Sequence, residues 1–210
     1  MRESDESALL DRVLREIRAQ FDDETITVYQ AYGPQIADEA LDMGRFGRAF
    51  KRERMTWIKP SFLWMMYRCG WARKPGQENV LAIRISREGF EWALRHSAFS
   101  HYDPAVHSDR QVWKDSLAAP VRIQWDPERD TMFRPLPYRS LQVGLSGEAV
   151  RRYCDEWIVS IDDVTEVARN MEALVGSGAT EAALELAPVE RVYPTPADIA
   201  HRLGMNARHT

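Results

Sequence analysis

The sequence lacks several features that would assign a protein to a class at once. It has two cysteines in 210 residues, Cys69 and Cys154, and no CxxC or Cys/His spacing typical of zinc. A reduced, cytoplasmic location is the simplest interpretation of so few cysteines. No run of about 18 apolar residues occurs, and the N-terminus is charged from its second residue, so we expect neither a membrane span nor a secretory signal.

Familiar catalytic motifs are also missing. No GxSxG, GxGxxG or P-loop pattern occurs. The spacing of His101 and His107 matches no metal motif, so we predict no metal site. Cys154 falls inside a predicted helix, which argues against a nucleophile. A net charge of −4 gives no general reason to expect nucleic acid, although a local basic groove is compatible with it.

The composition is that of a soluble globular protein, with 44% hydrophobic and 29% charged residues. Seven tryptophans supply core volume and are also typical of ligand pockets. Apolar periodicity and turn residues predict several strands and helices. The strands are 25–32, 79–86, 120–126, 138–145 and 157–162, and the helices are 5–21, 33–46, 60–69, 87–97, 146–157, 163–175 and 195–205.

This mixture predicts an α+β fold, a compact single domain with a split or strongly bent mixed β-sheet flanked by helices. We divide the chain into an N-terminal amphipathic helix at 1–24, a core at 25–175 and a C-terminal extension at 176–210. The extension ends in a docked helix, because Thr195 and Pro196 begin it and Gly204 ends it. Neither the strand order nor the oligomeric state is readable from the sequence.

The stretch MTWIKPSFLWMMYRCGW, residues 55–71, is the most unusual segment. One interpretation is a core helix, since a helix that is apolar nearly all round is normally buried. The other makes Lys59 and Arg68 anion ligands beside aromatic walls, because buried cations without partners are costly. Both interpretations stay open.

The segment VRIQWDPERD, residues 121–130, places Gln124 and Asp126 on one strand face. Pro127 is predicted to end the strand and leave Glu128 on a turn. A carboxylate at a strand end is a candidate acid or base, whereas an ordinary surface turn explains the same residues.

The segment PLPYRSLQVGLSGEAV, residues 135–150, is predicted to be a strand and then a helix. Arg139 shares one strand face with apolar residues, and Gln142 lies on the opposite, polar face with Gly144. This polar row could line a cleft, or the strand could simply be half exposed. Ser146 is the predicted helix cap.

Together, RMTWIKPSFLWMMYRCGW, VLAIRISREGFEWAL and the two segments above resemble the family catalogued as domain of unknown function 4291. The resemblance extends from about residue 25 to 205. The family supplies no activity.

The order of segments from VYQAYGPQIADEALDMGRF onward also resembles compact ADP-ribosyltransferase-like domains. That resemblance implies NAD bound in a cleft between two small sheets and transfer of ADP-ribose. The chain has Tyr29, Gln30 and Tyr32 where such domains carry a first-strand arginine or histidine.

Three functions follow as hypotheses. The leading one is a transferase-like enzyme that binds NAD or another phosphorylated nucleotide, with Glu128 and Gln142 as catalytic candidates. The expected cofactor-binding residues are Tyr29, Gln30, Tyr32, Arg54, Lys59, Trp64, Arg68, Gln124 and Arg139. The alternatives are a nucleic-acid-binding or nucleic-acid-modifying protein, which would use the same cations and aromatics, and a non-catalytic interaction domain.

Overall fold

The computed structural model describes residues 14–205, in which eight α-helices and ten β-strands form a mixed α+β fold. The α+β prediction is confirmed. The strands are β1 Leu14–Arg15, β2 Arg18–Ala19, β3 Thr25–Tyr32, β4 Thr56–Ile58, β5 Asn79–Ser86, β6 Ser97–Phe99, β7 Val121–Arg129, β8 Pro135–Leu145, β9 Ile158–Asp163 and β10 Arg191–Val192. The helices are α1 Pro34–Met43, α2 Phe62–Cys69, α3 Arg87–Arg95, α4 Arg110–Ser116, α5 Glu148–Arg152, α6 Thr165–Gly176, α7 Thr180–Leu186 and α8 Ala197–Arg202.

The main sheet has five strands built around the β7–β8 hairpin. On one side of the hairpin, β6 pairs in parallel with β7. On the other side, β8 pairs with β1 in parallel and with β4 in antiparallel orientation. The parallel edge strand β6 had not been predicted, because three residues give too short a period to read.

A second sheet of order β3–β5–β9 is antiparallel throughout. It joins the main sheet through one bridge, in which Tyr29 and Lys59 exchange both backbone hydrogen bonds, at 2.7 and 3.2 Å. Lys59 follows β4 directly, so the chain there pairs with β8 on one side and then with β3 on the other. The two sheets therefore form one strongly curled surface flanked by helices.

The core forms where apolar strand faces meet the helices. In β7 and β8, Ile123, Trp125, Leu141 and Val143 are buried on one face of the sheet. The helix α3 packs there with Phe90, which is fully buried. Gly89 lets α3 also approach Trp157 closely, because a Cβ atom on it would lie 2.3 Å from the indole ring of that residue. Along β7 the burial alternates with the period of two expected of a strand, whereas residues 140–145 of β8 are buried on both faces.

The predicted helix over 5–21 is wrong for the part that the structure describes. Residues from 14 onward form β1 and β2, whose backbone groups pair with β8 and β10 instead of with each other. Ile17, between these strands, is fully buried. Apolar residues at helical spacing thus belong to an extended segment with two short strands. Residues 5–13 lie outside the described residues.

The predicted end of β7 at Pro127 is also wrong. The strand continues to Arg129, with a bulge between Pro127 and Arg129. The bulge accommodates Pro127, which has no backbone N–H to donate to the ladder. The turn follows at residues 130–134, where the Asp130 carboxylate accepts the backbone N–H groups of Met132 and Arg134. Glu128 therefore lies on a strand.

The helix predicted for 146–157 is a short α5 that continues as a π-helical turn, Tyr153–Trp157. Ser146 does not cap it, because its hydroxyl donates to the carbonyl oxygen of Pro120 at 2.8 Å. The helix expected at the C-terminal end is present as α8, and Ile199 within it and Leu203 directly after it are fully buried. None of the helices between residues 14 and 205 has the length and apolarity that a membrane span requires.

Candidate functional site

The two strands β7 and β8 carry a polar row on the face opposite the core. Gln124 pairs with Gln142 across the ladder, and Asp126 pairs with Ser140. Residues two apart in a strand share a face, so the two glutamines and Asp126 lie together. The two glutamines of this row form part of the floor of a cleft.

This cleft, which we call the glutamine cleft, has a volume of about 770 Å³. It lies between the β7–β8 floor, strand β4, one side of α2 and the loop that precedes β4. Its lining includes Gln30, Tyr32, Phe50, Lys51, Arg54, Trp57, Lys59, Arg68, Gln77, Gln124 and Gln142.

The charge of the lining is one-sided. Four cationic residues line the cleft, and no aspartate or glutamate does, in a chain whose net charge is −4. Three of the four, Lys51, Arg54 and Arg68, are exposed. Among residues 14–205, none of these three is in a salt bridge. Cations without counterions around a concave surface attract an anionic ligand.

Asp126 lies beside the two glutamines on the same face of the sheet but does not line the cleft. Its carboxylate accepts a hydrogen bond from Nε2 of Gln124 at 2.9 Å and from Nε2 of Gln142 at 2.5 Å. Both amide groups are thereby oriented with their nitrogen atoms bound, and each Oε1 atom remains an acceptor. The carboxylate thus positions two glutamines.

Lys59 lies at the base of the cleft and is only 5% exposed. Its Nζ atom donates to the carbonyl oxygen of Trp57 at 3.1 Å. Burial, followed by the nearby positive charge of Arg68, lowers the pKa of Lys59 to about 7, although Cys69 and Asp126 act in the opposite direction. A lysine here is therefore close to half protonated at neutral pH.

Trp57 forms a wall of the cleft because its strand partner is a glycine. It pairs with Gly144, and a Cβ atom at Gly144 would lie 3.0 Å from two atoms of the indole ring. Met55 is equally close, with its sulfur 2.9 Å from that position. The absence of a side chain at Gly144 therefore accommodates side chains of the protein itself.

Gln30 and Tyr32 belong to a hydrogen-bond network at the rear of the cleft. Nε2 of Gln30 donates to the hydroxyl groups of Thr56 at 2.6 Å and Tyr32 at 2.8 Å. Its Oε1 accepts from the hydroxyl of Tyr153 at 2.8 Å. Because both ends of the amide are occupied, Gln30 holds β3, β4 and the π-helical turn together.

Arg68 reaches the cleft from α2, whose ends are fixed by its sequence. The Ser61 hydroxyl accepts the backbone N–H of Trp64 at 3.2 Å, and Gly70 ends the helix in a left-handed conformation. The spacing of residues three and four apart then places Met65 and Arg68 on the cleft side. The helix predicted over 60–69 is confirmed, with observed bounds of Phe62–Cys69.

A comparison with protein families identifies the chain. Residues 16–193 match the family described as "Domain of unknown function (DUF4291)". The chain belongs to this family. No curated protein matches the chain. The predicted membership is confirmed, whereas the similarity to ADP-ribosyltransferase-like domains stays a prediction.

The DUF4291 match includes every residue that lines the glutamine cleft, since these fall between residues 30 and 142. A second cleft, of about 660 Å³, is only partly inside it, because Arg15 and His201 belong to its lining. In that second cleft, Arg15 forms a salt bridge with Asp103. The glutamine cleft is therefore the stronger candidate site of this family member.

The structure brings seven of the eleven predicted site residues to the lining of one cleft, namely Gln30, Tyr32, Arg54, Lys59, Arg68, Gln124 and Gln142. Four lie elsewhere. Tyr29 is fully buried against Phe62, at 5.3 Å between ring centroids. Trp64 stacks on Tyr67, at 5.0 Å. Arg139 lines the second cleft and donates to the carbonyl oxygen of Trp125.

Glu128 is the fourth residue outside the cleft. It is 4% exposed, accepts the backbone N–H of Arg129 at 2.8 Å and is hydrogen-bonded by Ser61 and Ser140. Burial raises its pKa. Glu190 is near it, and burial together with the Glu128 charge raises the pKa of Glu190 to about 8. Glu128 is buried and Glu190 is half-buried, and the two carboxyl groups lie at the N-terminus of α2, where Glu190 accepts the N–H of Phe62 at 2.6 Å.

The predicted site residues did not include Lys51, Trp57 and Gln77, which line the cleft. Lys51 and Gln77 lie in loops, where no periodicity assigns a direction to a side chain. Asp126 was recognised on the same face as Gln124, but its partnership with Gln142 depends on strand register. The charge run RFGRAFKRER at 45–54 was the signal available for Lys51.

Proposed function

We propose that the glutamine cleft binds a phosphorylated nucleotide. One observation carries the proposal: four cations and no carboxylate line a cleft of an acidic chain. Keeping like charges together without counterions has an energetic cost, which a bound anion would remove. Its volume of about 770 Å³ is in the range usual for small-molecule sites.

The phosphates would bind at the exposed arginines. Arg54 and Arg68 lie on different elements, the loop before β4 and helix α2, and both line the cleft. A guanidinium group offers paired donors that match two phosphate oxygens. Lys59 at the base adds a charge that depends on pH.

The nucleoside would bind against the aromatic and amide groups. Trp57 is half-buried and offers a ring face for a base to stack on, a contact that all bases can make. Gln124 and Gln142 have their Nε2 atoms bound to Asp126, which leaves their Oε1 atoms to accept hydrogen bonds. Ribose hydroxyl groups or a base amino group are suitable donors.

ADP-ribosyl transfer from NAD stays a prediction. Glu128, the expected acid or base, is buried outside the cleft. Asp126 is hydrogen-bonded to both glutamines, but it does not line the cleft either. The proposal therefore concerns binding and assigns no carboxylate to a reaction.

Isothermal titration calorimetry with NAD, ADP-ribose and ATP tests the proposal. We expect a measurable Kd for at least one ligand and a loss of at least about tenfold in affinity for each of Arg54→Met and Arg68→Met, since one charge-assisted hydrogen bond is worth about 1.5–3 kcal/mol. Arg169→Met is the matched control, an exposed arginine of α6 outside the cleft. Absence of binding by all three ligands would refute the proposal.

A further inference from the structure

The basic loop, residues 45–54, continues the cationic wall out of the glutamine cleft. It contains five cations and one carboxylate, Glu53, in the sequence RFGRAFKRER. Lys51 and Arg54 line the cleft. Arg45 and Arg48 are exposed and do not line it. The positive charge of the loop therefore extends beyond the cleft, through Arg45 and Arg48.

The backbone of the basic loop is held in place. The Glu39 carboxylate accepts the backbone N–H groups of Arg48 at 3.0 Å and Ala49 at 2.8 Å. Phe46 and Phe50 are buried and stack at 4.3 Å between ring centroids. The cations thus extend from a fixed segment and not from an unanchored tail.

Side-chain packing also excludes a larger residue at the centre of this loop. A Cβ atom at Gly47 would lie 2.2 Å from Cδ of Glu39. The close approach lets the carboxylate reach both amides. The conformation that presents Arg45 and Arg48 is therefore specified by local contacts.

These cations have few counterions. Arg52 forms a salt bridge with Asp155 at 2.8 Å. Within residues 14–205, the other four cations of the loop form none. The loop therefore has an excess positive charge in a chain whose net charge is −4.

Arg45 and Arg48 are close enough to the cleft to bind the same ligand. Ala49 lines the cleft and follows Arg48 directly. The Cα atom of Arg45 can lie at most about 14 Å from that of Ala49, because an extended chain spans about 3.6 Å per residue. A ligand that places one phosphate in the cleft and further phosphates beside it would contact all these cations.

We propose that the glutamine cleft receives one nucleotide of a single-stranded nucleic acid and that Arg45 and Arg48 bind the phosphates of the adjoining nucleotides. This inference rests on the proposed function and names its substrate class. A single strand is required because a base must leave its stack to lie against Trp57 in the cleft. Positively charged grooves next to an aromatic platform are the usual means of binding such strands.

Fluorescence anisotropy with a labelled 12-nucleotide RNA, and separately DNA, tests the inference over a range of salt concentrations. Unlabelled mononucleotide is titrated as competitor. We expect the 12-mer to bind at least tenfold more tightly than the mononucleotide. The double variant Arg45→Gln, Arg48→Gln should lower the slope of log Kd against log salt by about 1.4, since each phosphate contact to a single strand contributes about 0.7.

The matched control is Lys114→Gln with Arg169→Gln, two exposed cations outside both clefts. It should leave the slope unchanged, and thermal melting confirms that each variant is folded. An unchanged slope in the Arg45, Arg48 variant, or a 12-mer that binds no better than a mononucleotide, overturns the inference while the mononucleotide site stands. Binding of the 12-mer with the expected loss of slope, but no binding of the mononucleotide, refutes the proposed small-nucleotide site and supports the polymer surface.

Discussion

The indole ring of Trp57 lies against the backbone of Gly144, its partner across the β4–β8 ladder. The contact leaves no space for a methyl group, because a Cβ atom there would stand 2.9 Å from the Met55 sulfur and 3.0 Å from the ring. One wall of the glutamine cleft therefore depends on a residue with no side chain.

Gly144→Ala should displace Trp57 and deform the cleft. We expect a loss of about 1–3 kcal/mol in the free energy of unfolding, as overpacking usually costs. Nucleotide affinity should fall as well. Urea denaturation and calorimetric titration measure the two effects. Gly176→Ala, with no atom within 4 Å of its Cβ position, is the control; equal losses in both variants would contradict the contact.

Lys59→Met should stabilise the protein, and most strongly in acid. The folded-state pKa of Lys59 is lowered to about 7 from 10.5, so below pH 7 the folded state bears the full cost of burying a charge. Between pH 7 and pH 10.5 only the unfolded state still holds the proton, and the cost decreases as the pH rises through this interval. The expected gain below pH 7 is a few kcal/mol.

Urea denaturation of the Lys59 variant at pH 6 and pH 9.5 measures this difference. The carbonyl of Trp57 keeps a donor in the variant, because Nε2 of Gln30 lies 3.3 Å from it. Lys51→Met, at an exposed cation, is the control. A variant less stable than wild type at pH 6 would show that the ammonium group is satisfied where it lies.

Affinity for an anionic nucleotide should decrease as pH rises through about 7. Protonated Lys59 attracts an anionic ligand and neutral Lys59 does not. Because the pKa of Lys59 is about 7, this attraction is lost as the pH rises through that value. ADP-ribose is the suitable probe, since its diphosphate diester has no titration near neutrality, unlike a terminal phosphate with a pKa of about 6. Calorimetric titration between pH 6 and 8.5 should show the decrease in wild type and a flat profile in Lys59→Met; parallel profiles would remove Lys59 from the binding site.

Glu190→Gln should stabilise the protein by an amount that grows as the pH rises from about 4.5 to about 8. The folded-state pKa of Glu190 is raised to about 8 from 4.5, so the folded state holds a proton that the unfolded state has lost between these values. Stability of the wild type therefore falls as pH rises through this interval. Glutamine has no proton to lose and can still accept the N–H of Phe62.

Chemical denaturation at pH 5 and pH 8.5 compares this variant with wild type. We expect similar stability at pH 5 and higher stability of Glu190→Gln at pH 8.5. Glu185→Gln, an exposed residue of α7, reports the general effect of removing a negative charge. A constant difference at both pH values would mean that Glu190 is ionised in the fold.

Much of the local structure was predictable because each element carries its own signals. Strands β3 and β5 have the predicted bounds, 25–32 and 79–86, since β-branched and apolar residues fill them. Helix α1 begins at Pro34 and ends before Gly44, as the sequence indicates. The N-terminal region was misread because apolar spacing alone does not reveal a strand partner more than 100 residues away.

The candidate site was predictable in residue type and only partly in position. Gln124 and Gln142 were selected separately, on two strands, and the structure joins them through Asp126. Glu128 was expected on an exposed turn, but the bulge after Pro127 continues the strand and buries the carboxylate. Strand register is a long-range property, and a shift of one residue reverses the face of every side chain.

The sequence by itself determined the family and the α+β class. It also determined that cations, glutamines and tryptophans occur together in a few short segments. The tertiary structure decided which of them share a concave surface. It placed Lys59 and Arg68 beside Gln142, and it turned Arg139 towards the second cleft. The physical reason is that a local pattern sets the period of the side chains, whereas strand pairing and sheet curvature set where each face lies.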